Sequence, residues 1–163
     1  MDGYDPESLP AAWSDYLTDA NEFTAQRLGI ILITTSRRMR SIENDVESAE
    51  RASRLAIDVL SAVCPRGMPE IEVPLSIAYL QTGQNSRCIR ILRRHATSAE
   101  YAYLLLCQVY VKVGRRRSAE KLICRHFDLP NVSDAARSTA CKVLRTTPDE
   151  LNAALALARF KED

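Results

Sequence analysis

Two histidines, five cysteines and a cluster of arginines are the residues in this 163-residue chain with the reactivity or charge to do chemistry. A thiol beside an imidazole is the pair a Cys-His hydrolase needs. Cys64, Cys88, Cys107, Cys124 and Cys141 form an odd set without a C-x-x-C pair, and they recur on apolar helical faces. That pattern suits reduced, buried thiols in a cytosolic or nuclear protein better than a disulfide framework or a zinc site. His95 and His126 stand near expected helix ends, where imidazole meets C-terminal carbonyls favourably. No glycine-rich phosphate loop, nucleophile elbow or metal-ligand cluster is present, so no catalytic residue, cofactor or metal is assigned.

The arginines are the stronger signal. Residues 84–127 carry ten bases against two acids, whereas residues 1–35 carry six acids against a single base, within a net charge of only +1. Arg87, Arg90 and Arg94 fall at i, i+3 and i+7, on one face of a helix. Arg115, Arg116 and Arg117 form a second group. Guanidinium forks pair with carboxylates and phosphates, so these six residues are candidates to hold an acidic or phosphorylated segment of a protein partner, or the acidic start of a second copy. The alternative is that they are the solvated backs of two helices. Nucleic acid is the least favoured reading, because no RNA-binding signature and no interleaved aromatics accompany the charge.

The elements that position these groups repeat. Leu75, Tyr79, Gly83, Leu92 and His95 recur as Leu106, Tyr110, Gly114, Ile123 and His126, each at an offset of 31 residues. A fixed period signals helix pairs that bury their apolar faces against their neighbours. The second copy, with Tyr103, Leu106, Cys107, Tyr110, Gly114, Ala119, Ile123 and Pro130, resembles the tetratricopeptide pattern. In the first, Leu75, Ser76, Tyr79, Gly83, Cys88 and Leu92 take the corresponding places, but Glu72 stands where an aromatic belongs. The copies span 69–98 and 99–130. The fold implied is all-α, a short antiparallel helix-turn-helix solenoid over 45–163 behind an acidic helical segment over 1–44.

Helices are expected over 8–26, 45–63, 74–81, 86–95, 99–113, 116–127 and 133–144. Residues 28–44 stay open between helix and strand. Thr147-Pro148-Asp149-Glu150 reads as a capping box for a last helix. No apolar run is long enough to span a membrane, and the acidic start lacks a signal peptide's basic and apolar regions, so a cytoplasmic or nuclear location is expected. At the two ends of the array, Trp13, Tyr16, Phe23 and Leu151, Leu155, Phe160 are candidates for burial against another chain, in a homodimer or hetero-complex.

Ala52-Ser53-Arg54-Leu55-Ala56, then Ile77-Ala78-Tyr79-Leu80-Gln81-Thr82-Gly83, then Ile91-Leu92-Arg93-Arg94-His95, then Tyr103-Leu104-Leu105 resemble, in that order, the N-terminal repeats of the scaffold subunits of the anaphase-promoting complex. That resemblance implies a ubiquitin-ligase scaffold whose N-terminal repeats dimerise. A small tetratricopeptide-type chaperone of a secretion system is the alternative, and an RNA-associated helical-repeat protein the third. All three readings are of a binding protein, not an enzyme.

Overall fold

The computed structural model describes residues 8–63, 67–127, 133–145, 147 and 149–150, with the side chains of residues 126 and 127 left aside. These residues form eight α-helices and no strand: α1 (Leu9–Thr18), α2 (Glu22–Arg38), α3 (Val46–Val63), α4 (Pro69–Gln81), α5 (Asn85–His95), α6 (Glu100–Lys112), α7 (Arg116–Phe127) and α8 (Asp134–Leu144). No helix among them is long and apolar enough to cross a membrane. The chain divides into two units, Met1–Arg94 and His95–Asp163.

In the first unit, the single helix expected over 8–26 is two. Asn21 starts a new one, its Oδ1 accepting from the backbone N–H groups of Phe23 and Thr24, both at 3.0 Å. Thr24 Oγ1 accepts from the Asn21 N–H at 3.1 Å, closing a capping box with Thr in place of the usual Glu or Gln. From there α2 continues through Ile30, Ile31, Leu32 and Ile33, so the stretch left open between helix and strand is helical. Leu28, Gly29, Ile31, Leu32 and Ile33 are all buried, and a helix that is apolar around most of its circumference must be enclosed. Gly29 permits that enclosure: a Cβ there would lie 2.6 Å from Leu60 of α3. A five-residue π-helical turn, Met39–Glu43, follows α2 and ends on Asn44 in the left-handed region. Asp45 Oδ1 then caps α3 by accepting from the Ser48 N–H at 3.0 Å, and the Ser48 hydroxyl, together with that N–H, lowers the Asp45 carboxyl from its ordinary value.

Helix α4 begins at Pro69, five residues before the expected start, and carries Pro74 in its interior. A proline there has no N–H for the carbonyl four residues back. That carbonyl, Glu70 O, instead accepts from Gln26 Nε2 of α2 at 3.2 Å. A second polar knot ties α2, α3 and α4. Ser36 and Ser53 hydroxyls lie 2.6 Å apart, Ser53 donates to Gln81 Oε1 at 2.9 Å, and Gln81 Nε2 donates to Ile33 O at 3.1 Å. The two serine hydroxyls and the Gln81 amide thus satisfy one another where burial would otherwise be costly.

In the second unit, α6 buries Ala102, Tyr103, Leu106, Cys107, Val109 and Tyr110 in a core completed by Ala119 and Ile123 of α7 and Ala136, Ala140 and Val143 of α8. Ser133 caps α8 and donates to Glu100 Oε1 at 2.5 Å, joining the starts of α8 and α6. The box at Thr147 is formed: its N–H donates to Glu150 Oε2 at 2.9 Å, and the Glu150 N–H to its hydroxyl at 3.3 Å.

The 31-residue offset reappears in the backbone. After α4, the Gly83 N–H donates to Leu80 O at 3.2 Å and the Gln84 N–H to Tyr79 O at 2.8 Å; after α6, the Gly114 N–H donates to Val111 O at 3.1 Å and the Arg115 N–H to Tyr110 O at 2.7 Å. Both are Schellman turns, and Gly83 and Gly114 have the same φ of +75°, where a side chain would be strained. The buried register repeats too, with Leu75 and Leu92 matched by Leu106 and Ile123.

Candidate partner-binding surface

Helix α5 is built to show arginine to solvent. Cys88, Ile89, Ile91, Leu92 and His95 are buried, and Arg87, Arg90, Arg93 and Arg94 are exposed with no acid within the helix. The three candidate arginines are not equivalent. The Arg87 guanidinium lies over the Tyr79 ring, 5.4 Å from its centroid. Arg94 Nη2 contacts Glu72 Oε1 at 2.6 Å. Arg90 is exposed and makes no ion pair among the described residues.

Glu72 explains the departure in the first repeat copy. Its side chain is only 4% exposed, whereas Arg94 keeps 48%. In the aromatic slot a carboxylate can be buried because a cation reaches it from the next helix. Tyr79 departs as well. The repeat pattern places it between the helices of its pair, as Tyr110 is placed in burial, but Tyr79 is only half-buried and Arg87 covers it.

The second arginine group is arranged differently. Arg116 pairs with Glu120 at 3.3 Å one helical turn away, which spends part of its charge inside the chain. Arg115 and Arg117 are exposed, with Lys121 and Arg125 further along α7. Cys124 is exposed between Lys121 and Arg125, and Cys141 on α8 is half-buried, so the expectation that most of the thiols are buried is met by two of the four described. The α7 face that turns inward is narrow, set by Ala119 and Ile123, and position 124 falls outside it. Cys88 and Cys107 are buried as expected; Cys64 lies outside the described residues. Burial pushes the Cys107 thiol up to about 11, against a lowering contribution from its contact with Tyr103. Burial, with Cys107 close by, pushes the Tyr103 phenol up as well. A thiol held protonated is a poor nucleophile at neutral pH.

Of the apolar candidates, Trp13 and Tyr16 are half-buried and lie against each other at a tilt of 44°, with ring centroids 6.3 Å apart. Phe23, at 72% exposure, and Leu17, at 68%, project from the corner between α1 and α2. Phe23 lines a shallow cavity of about 460 Å³ with Ala20, Asn21, Glu22 and Val63. Leu151, Leu155 and Phe160 lie outside the described residues. The sequence did not single out Leu17, Glu72 as an anionic partner, or the Gln26 and Gln81 side chains; for Glu72, the misfit with the repeat pattern was the available signal.

No family model matches the chain, and neither a curated protein nor a solved structure does.

Proposed function

We propose that this chain is a non-catalytic protein-binding module of the helical-repeat kind, a tetratricopeptide-like solenoid that serves as a scaffold or adaptor subunit of a larger assembly. The observation that supports this reading is the matched pair of Schellman turns at an offset of 31 residues, each closing a helix pair with the same buried register. Repeated helix pairs present extended, sequence-variable outer faces, and such faces suit recognition of another chain. The α5 arginine face provides the charge for an acidic or phosphorylated protein segment.

Affinity purification of the tagged full chain followed by mass spectrometry tests this function. Recovery of ubiquitin-ligase subunits supports a scaffold of the anaphase-promoting-complex type. A single secreted partner supports the chaperone alternative, and RNA that survives nuclease-free washing supports the RNA-associated one. Recovery of no partner above background in any of these classes overturns the proposal.

A further inference from the structure

We propose that the arginine face of α5 holds a doubly phosphorylated segment of a partner protein, and that Glu72 is an intramolecular competitor that holds its affinity down. This rests on the protein-binding reading above.

Two of the three arginines are already positioned by the chain, Arg87 over Tyr79 and Arg94 against Glu72. Ordering long side chains before the ligand arrives removes an entropic cost from binding. Arg90 sits between them, exposed and without an ion pair among the described residues. Neighbours three and four apart on a helix face can share a ligand. One phosphate therefore fits between Arg87 and Arg90 and a second between Arg90 and Arg94. From Arg87 to Arg94 the helix rises about 10 Å, the length of about three residues of extended peptide. The matching segment lies extended along α5, with phosphorylated residues about three apart.

Glu72 limits the strength of the site, and the charge of phosphate is what overcomes it. Its buried carboxylate holds one edge of Arg94, and 48% of the Arg94 side chain stays exposed. An incoming carboxylate brings a single charge and gains little at the surface. A phosphate brings nearly two charges and three acceptor oxygens, enough to engage Arg90 fully while taking the outer edge of Arg94. Changing Glu72 to Gln keeps the shape and removes the competing charge. Binding should then strengthen, and most for the more highly charged phosphate.

The test is fluorescence anisotropy on the full chain in about 150 mM salt. The probe is an extended synthetic peptide with two phosphoserines about three residues apart. The same peptide with Glu or Ser at those positions, and a single-stranded RNA of matched charge, are the comparisons. The phosphopeptide should bind about tenfold more tightly than the Glu peptide, and Arg90→Glu should weaken it by about tenfold or more. Glu72→Gln should tighten both peptides, and the phosphopeptide at least as much as the Glu peptide, because the larger charge was repelled more. A gain of affinity cannot come from misfolding, so this variant separates recognition from stability. Equal binding of phosphate and Glu peptides, indifference to Arg90→Glu, weaker binding by Glu72→Gln, or RNA binding as tight as the phosphopeptide each overturns the proposal. If purification recovers a protein partner whose capture ignores Arg90→Glu, the protein-binding reading stands and this inference falls.

Discussion

Replacing Gly29 with Ala should destabilise the first unit, although alanine is the better helix former. A Cβ built on Gly29 lies 2.6 Å from Leu60 Cγ and Cδ2 and 2.8 Å from Cδ1. Carbon atoms in contact prefer about 3.5 to 4.0 Å, so the methyl is about 1 Å too close to three atoms at once. Leu60 is fully buried, which denies it an easy way out. Overpacking of this kind costs about 1 to 3 kcal/mol, and the helix propensity of Ala over Gly returns about 1 kcal/mol. The net expectation is a loss of up to about 2 kcal/mol, read as a lower midpoint in urea with an unchanged slope. The decisive measurement is the same substitution in a Leu60→Ala background. Leu60→Ala alone should cost about 2 to 5 kcal/mol, but it removes all three obstructing atoms. Gly29→Ala should then become stabilising by about 0.5 to 1 kcal/mol, reversing its sign. A Gly29→Ala variant that is stabilising with Leu60 in place, or an effect of the same sign and size in both backgrounds, refutes the close-approach argument.

Cys124 should react with a thiol reagent much faster than Cys88 and Cys107 in the native protein, followed by peptide mapping; uniform labelling would contradict the burial of the latter two. The Cys107 thiol is pushed up from 9.0 to about 11, so the folded state binds its proton more tightly than the unfolded chain. Its contribution to stability is therefore whole below pH ~9 and lost as pH rises from there, which urea midpoints across alkaline pH will show as a fall that Cys107→Ser diminishes. Gln26→Ala should cost about 0.5 to 1.5 kcal/mol by releasing Glu70 O, and the loss should shrink when Pro74 is replaced by Ala, because the helix then supplies its own donor. Self-association, if it uses the corner between α1 and α2, should diminish in light scattering for Leu17→Ser with Phe23→Ser. Charge reversal at Arg90, Arg94, Arg116 and Arg117 should weaken association and its salt dependence. A species whose mass ignores both sets rules out both contacts.

What was legible in the sequence was periodic, and what was missed depended on a partner distant in the chain. Gly83 and Gly114 could be found because a left-handed residue after a helix is a local requirement that glycine meets at a fixed offset. The break at Asn21 was hidden because its capping box closes through Thr24, a residue equally at home inside a helix. The run from Leu28 to Ile33 carried no helix-period signal, since a segment buried on nearly every side has no polar face to mark the period. Pro74 read as a helix start because nothing in its own neighbourhood indicates that Gln26, on another helix, will take the stranded carbonyl.

Glu72 is the instructive case. As a residue in a pattern it was only a mismatch, an acid in an aromatic slot. Its physical meaning required Arg94, 22 residues later, to come within 2.6 Å. That contact changes how the arginine face is read. The three α5 arginines that sequence spacing grouped as equal become one stacked on Tyr79, one held by a buried carboxylate and one exposed. Formal charge alone would rank Arg87, Arg90 and Arg94 together, whereas the contacts make Arg90 the strongest site for charge reversal. Arg94→Ala should harm folding more than recognition, because it takes from the buried Glu72 carboxylate the cation 2.6 Å away, at a cost of up to about 3 to 5 kcal/mol. Glu72→Gln with Arg94→Ala should recover much of that loss, since the double change removes the stranded charge along with its partner. Thermal unfolding of the four proteins in that cycle measures the coupling. If Arg94→Ala costs no more than an exposed arginine such as Arg117→Ala, Glu72 does not depend on Arg94, and the unequal roles assigned to the α5 arginines lose their basis.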